Sequence, residues 1–142
     1  HRCEKVAEIG GILFIDDSKG TNVASTCTAL TSIEGPKAII LGGQGKGEDY
    51  APLAETVRRE AAAAVVMGEE REKIVRALRE AGYGAIIEAE GMEDAVRKAA
   101  SALAGKGVVL LSPACTSWDM YPNYKKRGEH FRNIVLSLEE NS

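Results

Sequence analysis

Three polar loops carry the side chains of this sequence that are best suited to chemistry. They span residues 16–22, 42–47 and 112–118, and each follows directly on a short apolar run. If those runs are parallel strands, all three loops leave the same edge of one sheet, which is where open α/β folds bind their ligands. Lys19 and Lys46 would then meet threonine and serine hydroxyls, and this combination favours a small anionic ligand.

The loop 42–47 is rich in glycine and contains Lys46. Glycines let backbone N–H groups approach an anion closely, so this loop could bind a phosphate. It lacks the GxxxxGK(S/T) spacing of a P-loop, however, and a tight turn between a strand and a helix would also explain the glycines. Lys46 favours ligand binding, because such a turn needs glycine but not a lysine.

The loop 16–22 holds two carboxylates, Lys19 and several hydroxyl or amide side chains. Carboxylates can accept ribose hydroxyls and Lys19 can screen negative oxygens, so a nucleotide or a carboxylate ligand is one interpretation. The other is capping of the following helix by Ser18, Thr21 or Asn22. Capping accounts for one or two such residues but not for a whole polar loop, so the ligand interpretation is favoured.

Cys115 and His130 could form a nucleophile and base pair, since such residues need to be adjacent only in space. The apolar neighbours of Cys115 instead predict a small buried thiol, and the charged stretch around His130 predicts a solvated helix residue. Residues 112–127 are predicted to form a long loop, or a loop with a short helix. Its basic run 121–127 predicts a solvated turn with aromatic anchors rather than a nucleic-acid patch, and Trp118 is expected to pack over the sheet edge.

The composition limits the class of protein. The 142 residues fit one domain, and a formal net charge of −3 without a basic block argues against non-specific nucleic-acid binding. The apolar runs are too short to cross a bilayer and the start does not resemble a signal peptide, so a cytoplasmic protein is expected. Three cysteines without a CxxC pair and two histidines argue against a disulfide framework or a zinc site. The sequence does not begin with methionine, so a fragment of a longer chain is expected.

Strand-like and helix-like segments alternate along the whole chain. Apolar runs predict the strands, helical spacing predicts the helices, and glycine or proline marks the boundaries. The strands of five predicted βα units are Ile12–Ile15, Ala38–Leu41, Ala62–Met67, Ala85–Ile87 and Val108–Leu111. A further strand near residues 5–8 is expected to be antiparallel at one edge. The alternation predicts a Rossmann-like α/β fold in three layers, with about six strands, five of them parallel, and helices on both faces.

Taken in order, these motifs closely resemble the C-terminal domain of the Mur ligases, and within that family the type that adds D-glutamate. The resemblance spans essentially all of residues 1–142 and rests on these segments: His1-Arg2, 16–22, 42–46, 110–119, Arg127-Gly128 and Phe131. In this family ATP phosphorylates the carboxylate of a UDP-linked muramoyl-alanine, and the amine of D-glutamate attacks the acyl phosphate to form an amide. The resemblance therefore implies one domain of a three-domain cytoplasmic ligase in peptidoglycan precursor synthesis.

The resemblance also implies roles for individual residues. Those expected to bind D-glutamate are Thr21, Lys46, Ser117, Trp118 and Tyr124. The first two would hold its α-carboxylate and the last three its side-chain carboxylate. Those expected to face the nucleotide are Arg2, Asp17 and Lys19. ATP and Mg²⁺ are expected to be bound mainly by the missing central domain, so this domain is expected to carry no catalytic residue or metal ligand, to be inactive alone and to be a monomer.

The sequence departs from the usual family pattern at three positions. Asp16 stands where the family usually has Asn, Gly20 where it has Ala, and Gln44 where it has Asp. The last departure matters most, because an acid beside Lys46 would help to orient that lysine, whereas Gln44 can act only as a neutral hydrogen-bond partner.

Trp118 and Tyr124 vary in type among members of the family, which implies that they act mainly through backbone contacts and packing. Two alternatives remain open. One is another amino-acid ligase of the same superfamily, including folylpolyglutamate synthase, although the DNPR-type motif of members that add lysine or diaminopimelate does not occur here. The other is a stand-alone Rossmann-like nucleotide-binding module.

Overall fold

A single six-stranded sheet forms the centre of this computed structural model, which describes residues 1–140. The strands are β1 Glu4–Ile9, β2 Ile12–Asp16, β3 Lys37–Leu41, β4 Ala63–Val66, β5 Ile86–Glu88 and β6 Gly107–Leu111. Their order across the sheet is β1-β2-β6-β3-β4-β5. Only β1 is antiparallel to its neighbour within the part of the chain described here. The predicted α/β fold, with five parallel strands and one antiparallel edge strand, is confirmed.

A helix follows each of the five parallel strands, which confirms the predicted βα units. The helices are α1 Val23–Ser32, α2 Ala51–Glu60, α3 Arg71–Glu80, α4 Met92–Ala102 and α5 Tyr124–Glu140. Asn22 is the N-cap of α1, because its side chain accepts a hydrogen bond from Ser25 N at 2.8 Å. Pro52 lies in the first turn of α2, where its missing N–H costs nothing.

Helices cover both faces of the sheet, and strand β3 shows why. Its alternate residues face opposite sides, so Ile39 and Leu41 pack in the core beneath α1, α2 and α3. Ala38 and Ile40 pack on the other face, in the core beneath α4 and α5. All five β3 residues are buried, as expected for a central strand of a parallel sheet covered on both sides.

The strand order determines where the three polar loops meet. Strand β6 lies between β2 and β3 and is parallel to both, so the loops after these three strands leave adjacent points on one edge. The loop after β6 is therefore flanked by the other two.

In residues 1–140, no helix has both the length and the apolar character that a transmembrane span requires.

Candidate functional site

The glycine loop, residues 42–47, is paired with the loop that follows β6. Gln44 and Thr116 form an antiparallel bridge in which each backbone N–H donates to the carbonyl of the other at 3.0 Å. The Thr116 hydroxyl donates to the same Gln44 carbonyl at 3.1 Å, and Gly42 N donates to Pro113 O at 3.0 Å. These bonds fix the position of the glycine loop relative to the centre of the sheet edge.

The loop 16–22 is attached to the same central loop from the other side. Asp17 N donates to Leu111 O at 2.7 Å, and Ala114 N donates to Gly20 O at 2.9 Å. The Ser112 hydroxyl donates to Asp17 Oδ2 at 2.7 Å. The predicted convergence of the three loops is thus confirmed, and the loop after β6 joins the other two.

A further contact joins the segment after Thr21 to the segment after Lys46. Val23 N, at the start of α1, donates to Glu48 Oε1 at 3.2 Å, so the chain just after the glycine loop reaches the helix that Thr21 precedes. Thr21 is half-buried, whereas Lys46 is exposed and has no ion-pair or hydrogen-bond partner among residues 1–140. An exposed ammonium without a partner among these residues is well suited to bind an anionic ligand.

Ser117, Trp118 and Tyr124 lie in different environments. Ser117 is buried, and its carbonyl accepts hydrogen bonds from Met120 N at 3.0 Å and Tyr121 N at 2.7 Å. This turn directs Trp118 outwards, where 68% of its surface is exposed, so the prediction that Trp118 packs over the sheet edge is wrong. Tyr124 is half-buried in the first turn of α5, with its ring edge-on to the His1 ring at 6.1 Å between centroids.

Arg2, Asp17 and Lys19 line one cavity of about 310 Å³ beside helix α1, which adds the hydroxyls of Ser25 and Thr28. Arg2 and Lys19 are exposed and offer two cations. A larger cavity, about 470 Å³, lies between α3 and β5, two strands away from the nearest of the three loops. We regard the smaller cavity as the better candidate, because it contains residues of a polar loop and the larger one does not.

Asp17 differs from the two cations because its carboxylate already has partners. It is buried, and it accepts hydrogen bonds from Ser112 Oγ at 2.7 Å and from Cys3 N at 3.1 Å. One oxygen therefore fixes the loop after β6, and the other fixes the chain beside Arg2. Through these two hydrogen bonds Asp17 holds the cavity wall in place.

Arg127 is fully buried, so the prediction of a solvated turn over 121–127 is wrong at this residue. The loop after β6 ends at residue 123, and α5 begins at Tyr124, which turns Arg127 towards the core. Its guanidinium donates to Cys115 O at 3.0 Å and to Ser18 O at 2.7 Å. Burial lowers the pKa of Arg127 to about 10.

Cys115 is a buried thiol, as predicted. Its Sγ lies 3.5 Å from the hydroxyl of Tyr50, and burial raises the pKa of Cys115 to about 11, which disfavours the thiolate that a nucleophile needs. His130 is exposed as predicted, but it is not merely solvated, since its Nδ1 lies 2.6 Å from the Tyr121 hydroxyl. The two residues do not form a nucleophile and base pair.

A family model described as the glutamate ligase domain of Mur ligases matches residues 1–115. The chain belongs to the Mur ligase family. The UDP-N-acetylmuramoylalanine–D-glutamate ligase of Pelotomaculum thermopropionicum is 42% identical over 140 residues, which are 99% of this chain and 31% of that protein. The chain thus spans about a third of the length of this curated relative.

Solved structures of two ligases share the fold of this Mur ligase domain. The UDP-N-acetylmuramate–alanine ligase of Thermotoga maritima matches with a TM-score of 0.63 and 16% identity, over 96% of this chain and 30% of that one. A folylpolyglutamate synthase of Mycobacterium tuberculosis, complexed with ADP, matches with a TM-score of 0.66 and 14% identity, over 92% of this chain and 32% of that one. At these identities the similarity shows the fold alone.

Gly20 and Asp16, two of the three departures named above, both lie in closely packed surroundings in this Mur ligase domain. A Cβ atom on Gly20 would lie 2.6 Å from Ser112 Oγ and 2.8 Å from Asp17 Oδ2, so glycine matches the close packing of these side chains. Asp16 is buried, with its Oδ2 at 2.7 Å from His1 Nδ1 and its Oδ1 accepting from Ser18 N at 2.9 Å. With Glu4, Asp16 and His1 are the only group among residues 1–140 whose ligand atoms lie close enough to hold a metal ion.

Two residues of this Mur ligase domain were missed by sequence reasoning. Arg127 lies four residues before the apolar Phe131, which is fully buried, and that helical spacing could have revealed the burial of Arg127. Glu70 is buried against the glycine loop, where Tyr50 donates a hydrogen bond to it at 2.8 Å. Its position just after β4, a neighbour of β3, places it on the same sheet edge, which was the available signal.

Proposed function

We propose that residues 1–142 are the C-terminal domain of a three-domain UDP-N-acetylmuramoyl-L-alanine:D-glutamate ligase. The full-length enzyme would act in the cytoplasm, in the synthesis of a peptidoglycan precursor. The observation that carries the proposal is the convergence of three polar loops at one sheet edge, in a chain with relatives of that name. This domain would supply part of the site for D-glutamate and close over ATP, while the muramoyl substrate would bind to the other domains.

The glycine loop and the start of α1 are proposed to hold the α-carboxylate of D-glutamate. Lys46 would donate a charge-assisted hydrogen bond, and Thr21 would donate its hydroxyl beside the positive end of α1. The contact between Val23 N and Glu48 supports this pairing, since it joins the two segments. The absence of a partner for Lys46 within residues 1–140 also supports it, because the ammonium is free to meet a ligand.

The loop after β6 is proposed to hold the side-chain carboxylate of D-glutamate. Ser117 would contribute its hydroxyl, and the backbone near Trp118 and Tyr124 would contribute donors and packing. The two carboxylates of one D-glutamate need two separate sets of hydrogen-bond donors. The bridge between Gln44 and Thr116 supports this arrangement, because it keeps the loop after β6 beside the glycine loop.

The cavity beside α1 is proposed to cover part of the nucleotide. Arg2 and Lys19 would contact phosphate or ribose oxygens, and Asp17 would keep the cavity wall in place through its two hydrogen bonds. ATP supplies the phosphoryl group that activates the substrate carboxylate. Mg²⁺ would be held mainly by the central domain, as the resemblance to the family implies.

The proposal is tested by D-glutamate kinetics of the full-length ligase carrying Lys46→Ala or Thr21→Ala. Losing a charge-assisted hydrogen bond should raise KM for D-glutamate about 10- to 100-fold for Lys46→Ala. Thr21→Ala should raise it by a smaller factor of about 5 to 10. The matched control is Lys106→Ala, which removes an exposed lysine just before β6. This lysine lies at the amino-terminal end of β6, whereas the three loops lie at the carboxyl ends of their strands.

KM for D-glutamate should rise in both test variants and stay unchanged in the control. An unchanged KM for D-glutamate in both Lys46→Ala and Thr21→Ala would reject the assignment of this loop pair. An equal rise in Lys106→Ala would show that the effect does not come from the loops, and it would reject the assignment as well.

A further inference from the structure

Glu70 lies directly against the backbone of the glycine loop. It immediately precedes α3 and is 8% exposed, which is unusual for a carboxylate without a strong cationic partner. A Cβ atom on Gly45 would overlap Glu70 Oε1 and would lie 2.9 Å from Glu70 Cγ. The carboxylate therefore occupies the space that any side chain at position 45 would need.

The carboxylate is held in this position by its neighbours. Tyr50 OH donates to Oε1 at 2.8 Å, and the buried hydroxyl of Tyr50 also lies 3.5 Å from Cys115 Sγ. Lys73 Nζ lies 3.6 Å from Oε2, but the Lys73 side chain is 69% exposed, so this ion pair is weak. The backbone of Glu70 is anchored too, because its N–H donates to Gly43 O at 2.9 Å.

The glycine loop is thus fixed on two opposite sides. Glu70 meets it at Gly43 and Gly45, while Thr116 bridges Gln44 between them. Lys46 is the next residue, and neighbouring Cα atoms are only about 3.8 Å apart. Any displacement of Gly45 must therefore move the start of the Lys46 side chain.

We propose that Glu70 is a positioning residue for amino-acid binding, which acts by contact with Gly45 and so sets the direction in which Lys46 leaves the loop. The inference rests on the proposed role of Lys46 at the substrate carboxylate. Glu70 does not touch the substrate; it holds the loop in the one arrangement that presents the ammonium. Its effect is exerted on binding of the amino acid and not on the nucleotide cavity, which lies beside α1.

The test is a double-mutant cycle in the full-length ligase with Glu70→Ala and Gly45→Ala. Each single variant displaces the loop, so each should raise KM for D-glutamate about tenfold while KM for ATP changes less than about twofold. In the double variant the methyl group at position 45 enters the space that the carboxylate left. In the Glu70→Ala background, Gly45→Ala should then raise KM for D-glutamate by less than about a further twofold. Such a loss of effect would show strong coupling between the two positions.

Two further variants separate contact from charge and from general damage. Glu70→Gln keeps the shape and an acceptor for Tyr50, so it should change KM for D-glutamate by less than about threefold. Glu69→Ala removes the adjacent exposed carboxylate and should have no effect. If Glu70→Ala fails to fold, Gly45→Ala and Glu70→Gln still test the inference. Gly45→Ala must raise KM for D-glutamate about tenfold, and Glu70→Gln must change it by less than about threefold.

The result that overturns the inference differs from the one that overturns the proposed function. If Lys46→Ala raises KM for D-glutamate but Gly45→Ala leaves it unchanged, Glu70 has no positioning role. Equal effects of Gly45→Ala in the presence and absence of the Glu70 carboxylate would likewise rule out a positioning role. If Lys46→Ala itself has no effect, the proposed site fails first.

Discussion

The Arg127 guanidinium connects two of the three loops from inside the protein. It donates to Ser18 O on one loop and to Cys115 O on the other, and its Nε atom has no partner among the residues described. Burying a charge is costly, burial lowers the pKa of Arg127 to about 10, and two carbonyl acceptors offset that cost only in part. The arrangement favours one relative position of the loops over others, which a binding site needs.

Replacing Arg127 with Met should destabilise the domain, because two buried carbonyls lose their donor. We expect the free energy of unfolding to fall by about 2–4 kcal/mol, measured by urea denaturation of the 142-residue chain. Lys126→Met is the matched control, since Lys126 is exposed and its ion pair with Glu129 spans 3.3 Å at the surface. That variant should change stability by less than about 0.5 kcal/mol. Equal losses in both variants would show that the buried hydrogen bonds of Arg127 do not stabilise the domain.

The sequence reveals the type of each residue and the loop that carries it, but not the direction of its side chain. Lys46 was expected to be available for a ligand, and it is exposed. Trp118 was expected to pack and instead faces outwards, because the turn at Ser117 reverses the chain there. Arg127 was grouped with its two basic neighbours, since the start of α5 could not be located within a run of polar residues. Direction depends on local turns, which propensity describes least well.

At the scale of elements, α5 begins so close to the loop 16–22 that it requires glycine. A Cβ atom on Gly128 would overlap His1 Nδ1 and would lie 2.5 Å from Ser18 Oγ and 2.8 Å from Asp16 Oδ2. Asp16 and Ser18 are fully buried, so they have little room to move. At Gly128 the helix therefore packs against both His1 and the loop 16–22.

Gly128→Ala should reverse the usual effect of this substitution in a helix. In an exposed helix interior alanine stabilises by about 1 kcal/mol relative to glycine. Here overpacking should instead lower the free energy of unfolding by about 1–3 kcal/mol, measured by urea denaturation. Gly84→Ala is the control, because a Cβ atom there has no neighbour within 4 Å, and it should be neutral within about 0.5 kcal/mol. Stabilisation by Gly128→Ala would show that the close packing is not rigid.

The elements themselves were predictable because each strand and helix has its own periodicity. The observed β2 is only one residue longer than the predicted strand Ile12–Ile15. The position of β6 between β2 and β3 was not predicted, since strand order depends on packing between elements that are distant in sequence. Val109, Leu110 and Leu111 are fully buried, which is the property that suits β6 to a central place.

At the scale of the whole molecule, the proposed site is open on one side. Lys46, Arg2 and Lys19 are exposed, and Trp118 presents 68% of its surface to solvent. In the proposed three-domain ligase, a site shared between domains would account for this exposure. A ligand that needs groups from two domains gains only part of its binding free energy from one of them.

The isolated 142-residue chain should therefore bind ATP and D-glutamate weakly and should catalyse no ligation. If the other domains supply about half of each proposed site, dissociation constants should be weaker than about 1 mM, which corresponds to less than about 4 kcal/mol of binding free energy. Isothermal titration calorimetry measures this directly, and the full-length ligase under the same conditions is the control. Micromolar ATP binding by the isolated chain would mean that the exposed cations already form a complete nucleotide site. Amide formation by this chain alone would go further and remove the need for a central domain.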